Sequence, residues 1–210
     1  MTVFSLCKCS RRAFALHGLG LGLAAGLASN EGLAKALAGY QPKTFTQHEL
    51  ATVKALMSRF IPADGKNGGA VEACAYIYLD QALGAHHARY VGTYRSGLQE
   101  LDRWAQQERA RFATLAPAKM DELIARMEKG ELLGGKFPDG GTAFFSLIRK
   151  HTLEGFLSDP MYGGNKDFIG WQAIGYNGVQ LIYPDATQQL NGHDDREQRS
   201  IAAFGGSPLP

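Results

Sequence analysis

Apolar residues in this chain recur every three or four positions, and no stretch of useful length alternates apolar with polar. A period near 3.6 suits one face of a helix and cannot sit as a half-buried strand, so most β architectures are excluded. Thr46-Gln47-His48-Glu49 has the form of a capping box with Thr46 as N-cap. Leu50, Val53, Leu56, Met57, Phe60 and Ile61 follow at helical spacing and Pro62 ends the run. Beyond a turn-rich loop at 63–69, residues 70–83 read as a second helix with Val71, Cys74, Ile77 and Tyr78 on one side. Residues 89–115 read as one long helix whose seam is Tyr90, Tyr94, Leu98, Leu101, Ala105, Phe112 and Leu115. Pro117 suits the first position of a fourth helix, 118–129, which carries Met120, Leu123, Ile124 and Met127 and stops at Gly130. Thr142 would cap a fifth, 143–157, and Asp159-Pro160 would end it. The expected fold is all-α: an irregular bundle of about five helices over 39–180, with a Gly-rich loop region and an extended C-terminal tail over 181–210. The span 130–178 holds 11 of the 26 glycines, and the tail is too polar to order itself, so it is either mobile or laid against another protein.

At 210 residues, 45% hydrophobic and 20% charged, the chain can bury a core. Its formal net charge of +2 supplies no basic face for nucleic acid. The surplus lies in the first 38 residues, which hold Lys8, Arg11, Arg12 and Lys35 against Glu31. There Ser10-Arg11-Arg12-Ala13-Phe14 precedes an uncharged run over 13–28 that is diluted by Gly18, Gly20, Gly22 and Gly26. That run is shorter than the roughly 20 residues a spanning helix needs, so it reads as an export signal rather than an anchor. Arg11, Arg12 and Phe14 resemble the twin-arginine (Tat) signal, while Ala15 and Leu16 depart from its pattern. Ala36-Leu37-Ala38 is a cleavage site of the A-x-A kind, with Ala34-Lys35-Ala36 as the alternative. A Sec signal or a retained amphipathic helix are the competing readings of the leader.

Cargo of the Tat route often carries a cofactor, yet no cofactor motif is present. There is no strand–Gly-x-Gly-x-x-Gly–helix unit, no Walker loop and no Cys-x-x-Cys-His. Loss of the leader would remove Cys7 and Cys9 and leave Cys74 alone, either buried or paired with another chain. His151 and Glu154 stand three residues apart on one helix, but a di-metal bundle needs further Glu-x-x-His pairs, so no metal site is assigned. His86 and His87 either point apart on a helix or lie in a turn, and read as surface residues. No serine lies in a Gly-x-Ser-x-Gly setting. Tyr90 and Tyr94, one helical turn apart, read as packing. No catalytic, cofactor-binding or metal residues are therefore expected in this chain.

The segment Glu154-Gly155-Phe156-Leu157-Ser158-Asp159-Pro160-Met161-Tyr162-Gly163-Gly164-Asn165, continuing through Trp171 to Tyr176, is distinctive. It resembles the signature of the small (gamma, or subunit 3) chain of gluconate 2-dehydrogenase and related periplasmic FAD-dependent dehydrogenases. The start at Phe45-Thr46 and the Gly69-Ala70-Val71-Glu72-Ala73 entry agree with that pattern. The resemblance implies a complex in which a large subunit binds FAD and oxidises a sugar or sugar acid. A multi-haem cytochrome c would pass electrons to the membrane quinone pool, and the complex would meet the membrane through that subunit alone. The small chain would stabilise the large one and escort it through the Tat translocase to the periplasm, with gluconate as the leading substrate. Glu154, Phe156, Asp159, Pro160, Tyr162, Gly163, Gly164, Asn165 and Trp171 are the expected partner interface. Each has a competing role: the loop could cap this domain's own core, and Trp171 is as apt for the core as for a partner. A stand-alone exported helical metalloenzyme and a periplasmic sugar-binding module are the rival functions.

Overall fold

Thr46 opens the first helix as its sequence requires. In the computed structural model, which describes residues 40–182, 185 and 197–205, its side chain accepts from Glu49 N at 3.2 Å. The Glu49 carboxylate answers by accepting from Thr46 N at 2.8 Å. Helix α1 (Gln47–Phe60) then buries Leu50, Val53, Leu56 and Met57 completely. Four more helices surround it: α2 (Ala75–Leu83), α3 (Val91–Ala105), α4 (Pro117–Glu128) and α5 (Thr142–Leu157). A short α6 (Ile169–Ala173) follows. Each of α2 to α5 touches α1, and the α2–α5 pair makes the most extensive helix–helix contact. No strand is present among the described residues, only two isolated bridge pairs, so the all-α expectation holds. None of the described helices is long and apolar enough to cross a membrane. The helices belong to one compact unit, Lys43–Pro210. The leader positions Arg11, Arg12, Phe14, Ala36 and Ala38 lie outside the described residues.

Two helices differ from their sequence-based bounds. The second begins at Ala75, not at residue 70, because 70–74 form turns that end with Cys74 in the left-handed region at φ 58°. This geometry leaves the Ala73 carbonyl free to accept from Lys166 N at 2.9 Å. A tertiary hydrogen bond has replaced a helical one. Cys74 itself is a buried thiol in no disulfide among the described residues, at the entrance of the helix rather than inside it. The expected helix over 89–115 stops at Ala105, because the polar run Gln106 to Arg111 offers no apolar face. Arg109 takes a left-handed conformation, the chain reverses, and Phe112 reaches the core with no exposure. Asp102 secures the reversal by accepting from Phe112 N at 2.9 Å. Burying a ring of this size is worth about 2 kcal/mol, enough to outweigh a few more turns of solvated helix.

Polar side chains hold the remaining irregular backbone. Asp80, fully buried on α2, accepts from the N–H groups of Lys43, Thr44 and Phe45 at 2.6, 3.0 and 2.8 Å, and so pins the strap before α1. Thr142 is the first residue of α5, not its cap. Asp139 caps it, accepting from Gly141 N, Ala143 N and the Thr142 hydroxyl. These bonds, the Ala143 one foremost, hold the Asp139 carboxyl below its ordinary value. The described part of the tail packs on its own domain. Val179 N donates to Arg199 O, while Ser200 Oγ and Ile201 N donate to Asp159 at 2.5 and 2.8 Å.

Asp80→Ala leaves three backbone donors without their charged acceptor and should lower the unfolding free energy by about 3 kcal/mol. Thr46→Ala should cost about 1 kcal/mol. Urea titrations followed by circular dichroism would rank the two. The depressed Asp139 carboxyl contributes stability that is complete above its unfolded value near 3.8 and fades as pH falls through its lower folded value. Asp139→Asn should therefore flatten the acid limb of the stability–pH profile.

Candidate functional site

The loop that leaves α5 folds back against its parent helix. Gly155 lies where α5 crosses the start of α2, and a Cβ there would come within 2.7 Å of the Ala75 carbonyl. Methyl groups at Gly164 and Gly170 would overlap the carbonyl oxygens of Gly155 and Phe156 respectively. Glycine is required at all three because backbone meets backbone. Asn165, fully buried at φ 44°, closes the loop. Its backbone N–H donates to Gly155 O at 3.0 Å and its amide nitrogen donates to Ser158 O at 2.9 Å. Its amide oxygen accepts from Gly170 N at 2.8 Å and from Trp171 N at 3.4 Å, at the start of α6. Trp171 donates its indole N–H to Leu157 O at 2.8 Å and stacks on Phe168.

The expected interface residues thus fall into two groups. Phe156, Gly164, Asn165 and Trp171 are buried and shape the loop from inside. Glu154, Asp159, Pro160, Tyr162 and Gly163 are half-buried and line its outer edge. Asp159 also caps the turn Pro160–Tyr162 through Met161 N at 3.0 Å. Beside this edge the outer face of α5 carries an open groove of about 650 Å³, lined by Tyr78, Leu153, Glu154, Leu157 and Ser158 among others. Leu153 is 42% exposed there.

At one end of the groove the structure assembles a cluster that residue spacing does not announce. His87, in the turn between α2 and α3, is not the surface residue expected. Its ring stacks on that of His151 with centroids 4.2 Å apart, and its Nε2 lies 3.0 Å from Glu154 Oε2. His86 stays exposed. His151 is fully buried on α5; its Nδ1 meets the Tyr94 hydroxyl at 3.0 Å and its Nε2 has no partner among the described residues. Burial first, then the neighbouring His87, pushes the His151 imidazole down to about 4, so it is neutral near pH 7. Burial raises the Tyr94 hydroxyl well above its ordinary value, and Tyr78 is raised by burial and by Glu154. Lys150 approaches the outer oxygen of Glu154 at 3.7 Å. One nitrogen of each imidazole and one Glu154 oxygen lie within 4.8 Å of one another. His87 and Glu154 are 67 positions apart, so only the α2–α5 packing brings them together. The recognisable half of the cluster was the i, i+3 pair His151 and Glu154.

The fold and loop define a helical domain whose most specific feature is a self-locked glycine–asparagine loop. The chain belongs to the family described as Gluconate 2-dehydrogenase subunit 3, whose sequence profile matches residues 47–178, from the first residue of α1 through the whole signature loop. No curated protein and no solved structure gives a match. The family is that of one subunit of a dehydrogenase, which places the chain among components of multi-subunit complexes.

Asn165→Ala should cost about 3 kcal/mol, because it removes three hydrogen bonds and leaves a bulkier-than-glycine residue at positive φ. Gly170→Ala should cost at least as much through overlap with the Phe156 carbonyl. Tyr162→Ala on the outer edge should change stability by less than about 0.5 kcal/mol. Chemical denaturation of the three variants checks this order.

Proposed function

We propose that this chain is the non-catalytic small subunit of a periplasmic, FAD-dependent sugar or sugar-acid dehydrogenase, with gluconate as the first substrate to try. It stabilises the flavoprotein subunit and escorts it through the Tat translocase. The observation that carries this reading is the family match across all six helices, joined to an Arg11-Arg12 pair ahead of an uncharged run on a chain that bears no dinucleotide or haem-attachment motif. A leader suited to folded cargo has a purpose on such a chain if the cofactor-loaded cargo is its partner. FAD and haem c then belong to the other subunits, the second of them a multi-haem cytochrome c that ties the complex to the membrane.

The mechanism is physical. A flavoprotein surface docks along the outer edge of the signature loop and the neighbouring face of α5. Tyr162 and Pro160 are presented there on a rigid loop, and Leu153 offers apolar area at the groove. An aromatic residue held rigid loses little entropy on binding, which suits an anchor. An obligate contact of this kind buries on the order of 2,000 Å² in total, and it stabilises the large subunit by mass action.

Changing both Arg11 and Arg12 to Lys should leave the flavoprotein subunit in the cytoplasm, read by fractionation and by loss of periplasmic dye-reducing activity. Normal export of that subunit would sink the escort role. Leu153→Asp combined with Tyr162→Ala should leave this chain folded and weaken its co-purification with the flavoprotein at least tenfold; unchanged recovery would move the interface elsewhere.

A further inference from the structure

His87, His151 and Glu154 converge from two separate parts of the fold, and the way their polar atoms are shared is uneven. His87 and Glu154 satisfy each other at 3.0 Å. His151 is packed beneath them with no exposure, its Nδ1 occupied by Tyr94 and its Nε2 buried without a partner among the described residues. Leaving a ring nitrogen buried and unbonded costs on the order of 1 to 3 kcal/mol, and proteins seldom leave it so without a ligand or water to meet it.

From this geometry we propose that the chain binds one divalent transition-metal ion, of the Zn²⁺ class, through His87, His151 and Glu154. Two imidazole nitrogens and one carboxylate oxygen suit Zn²⁺, which takes such donors at about 2.0 to 2.2 Å in a tetrahedron. The 3.0 Å separation of His87 Nε2 and Glu154 Oε2 is close to the spacing of two donors on one such ion. Each of the three residues has a ligand atom within 4.8 Å of those of the other two, and the half-buried His87 ring turns out of its stack on His151 for both lone pairs to meet one ion. The surroundings match what a metal-bound histidine needs. In the tautomer whose Nδ1–H donates to the Tyr94 oxygen, the His151 lone pair is on Nε2, the atom that has no other use among the described residues. Tyr90 packs edge-on against the same ring and shields it, while Glu154 faces the groove, where solvent or a partner group supplies the fourth ligand. The ion would tie the turn between α2 and α3 to α5 at one end of the face proposed for docking.

The test is calorimetric titration of Zn²⁺ into the full, untagged chain carrying Cys7→Ser and Cys9→Ser, which removes the two leader thiols as competing ligands. One ion per chain with micromolar or tighter affinity is expected. His87→Gln and Glu154→Gln lie at the rim and should keep the helical circular dichroism, and each should weaken binding at least tenfold. Co²⁺ in place of Zn²⁺ should give the visible ligand-field bands of a four-coordinate nitrogen–oxygen site, absent in His87→Gln. Failure to bind a stoichiometric ion would overturn the proposal, as would binding that survives both substitutions unchanged. None of these readouts depends on dehydrogenase activity, so the outcome is independent of the subunit assignment.

Discussion

Where α5 crosses the beginning of α2, almost nothing separates the two backbones. Gly155 presents only hydrogen to the Ala75 carbonyl, and its own carbonyl receives the Asn165 N–H. Ala73, two residues before Ala75, receives the Lys166 N–H. A side chain at Gly155 would push the helices apart and break both of these bonds, because protein interiors yield little to added volume. The rest of the molecule follows from this contact. It sets how closely the signature loop lies on its helix, which way α6 leaves, and how near the turn before α3 comes to His151.

Irregular backbone is usually exposed because its polar groups need water. Here three polar side chains take that role inside the domain. Asp80 collects the strap before α1, Asp102 the reversal after α3, and Asn165 the loop after α5. Each replaces regular secondary structure with hydrogen bonds that one side chain accepts from backbone N–H groups outside its own turn. A domain built so can present a rigid non-helical edge, which a simple bundle of helices lacks.

The uneven sharing within the His87, His151 and Glu154 cluster fits the same picture. Tyr94 belongs to the core through its edge contacts with Phe45 and Phe144, and it also fixes His151. The aromatic seam of α3 thus does two things at once. It fills the interior, and it orients an imidazole beside the groove on α5.

Local chemistry was readable from the residues alone. The capping box at Thr46, the proline at the start of α4 and the amphipathic faces of α1, α4 and α5 depend on neighbours within one or two helical turns, so short-range sequence determines them. The family was readable too, since the loop's glycines and asparagine are needed at fixed spacing to close a turn. Tertiary structure decided the rest. The late start of α2 and the early end of α3 arose because the Ala73 carbonyl and the Phe112 ring found better partners far along the chain. The burial of Phe156, Asn165 and Trp171, and the meeting of His87 with Glu154, have the same origin. Spacing along a helix says which residues share a face; it says nothing of what a second helix, tens of residues away, will bring against that face.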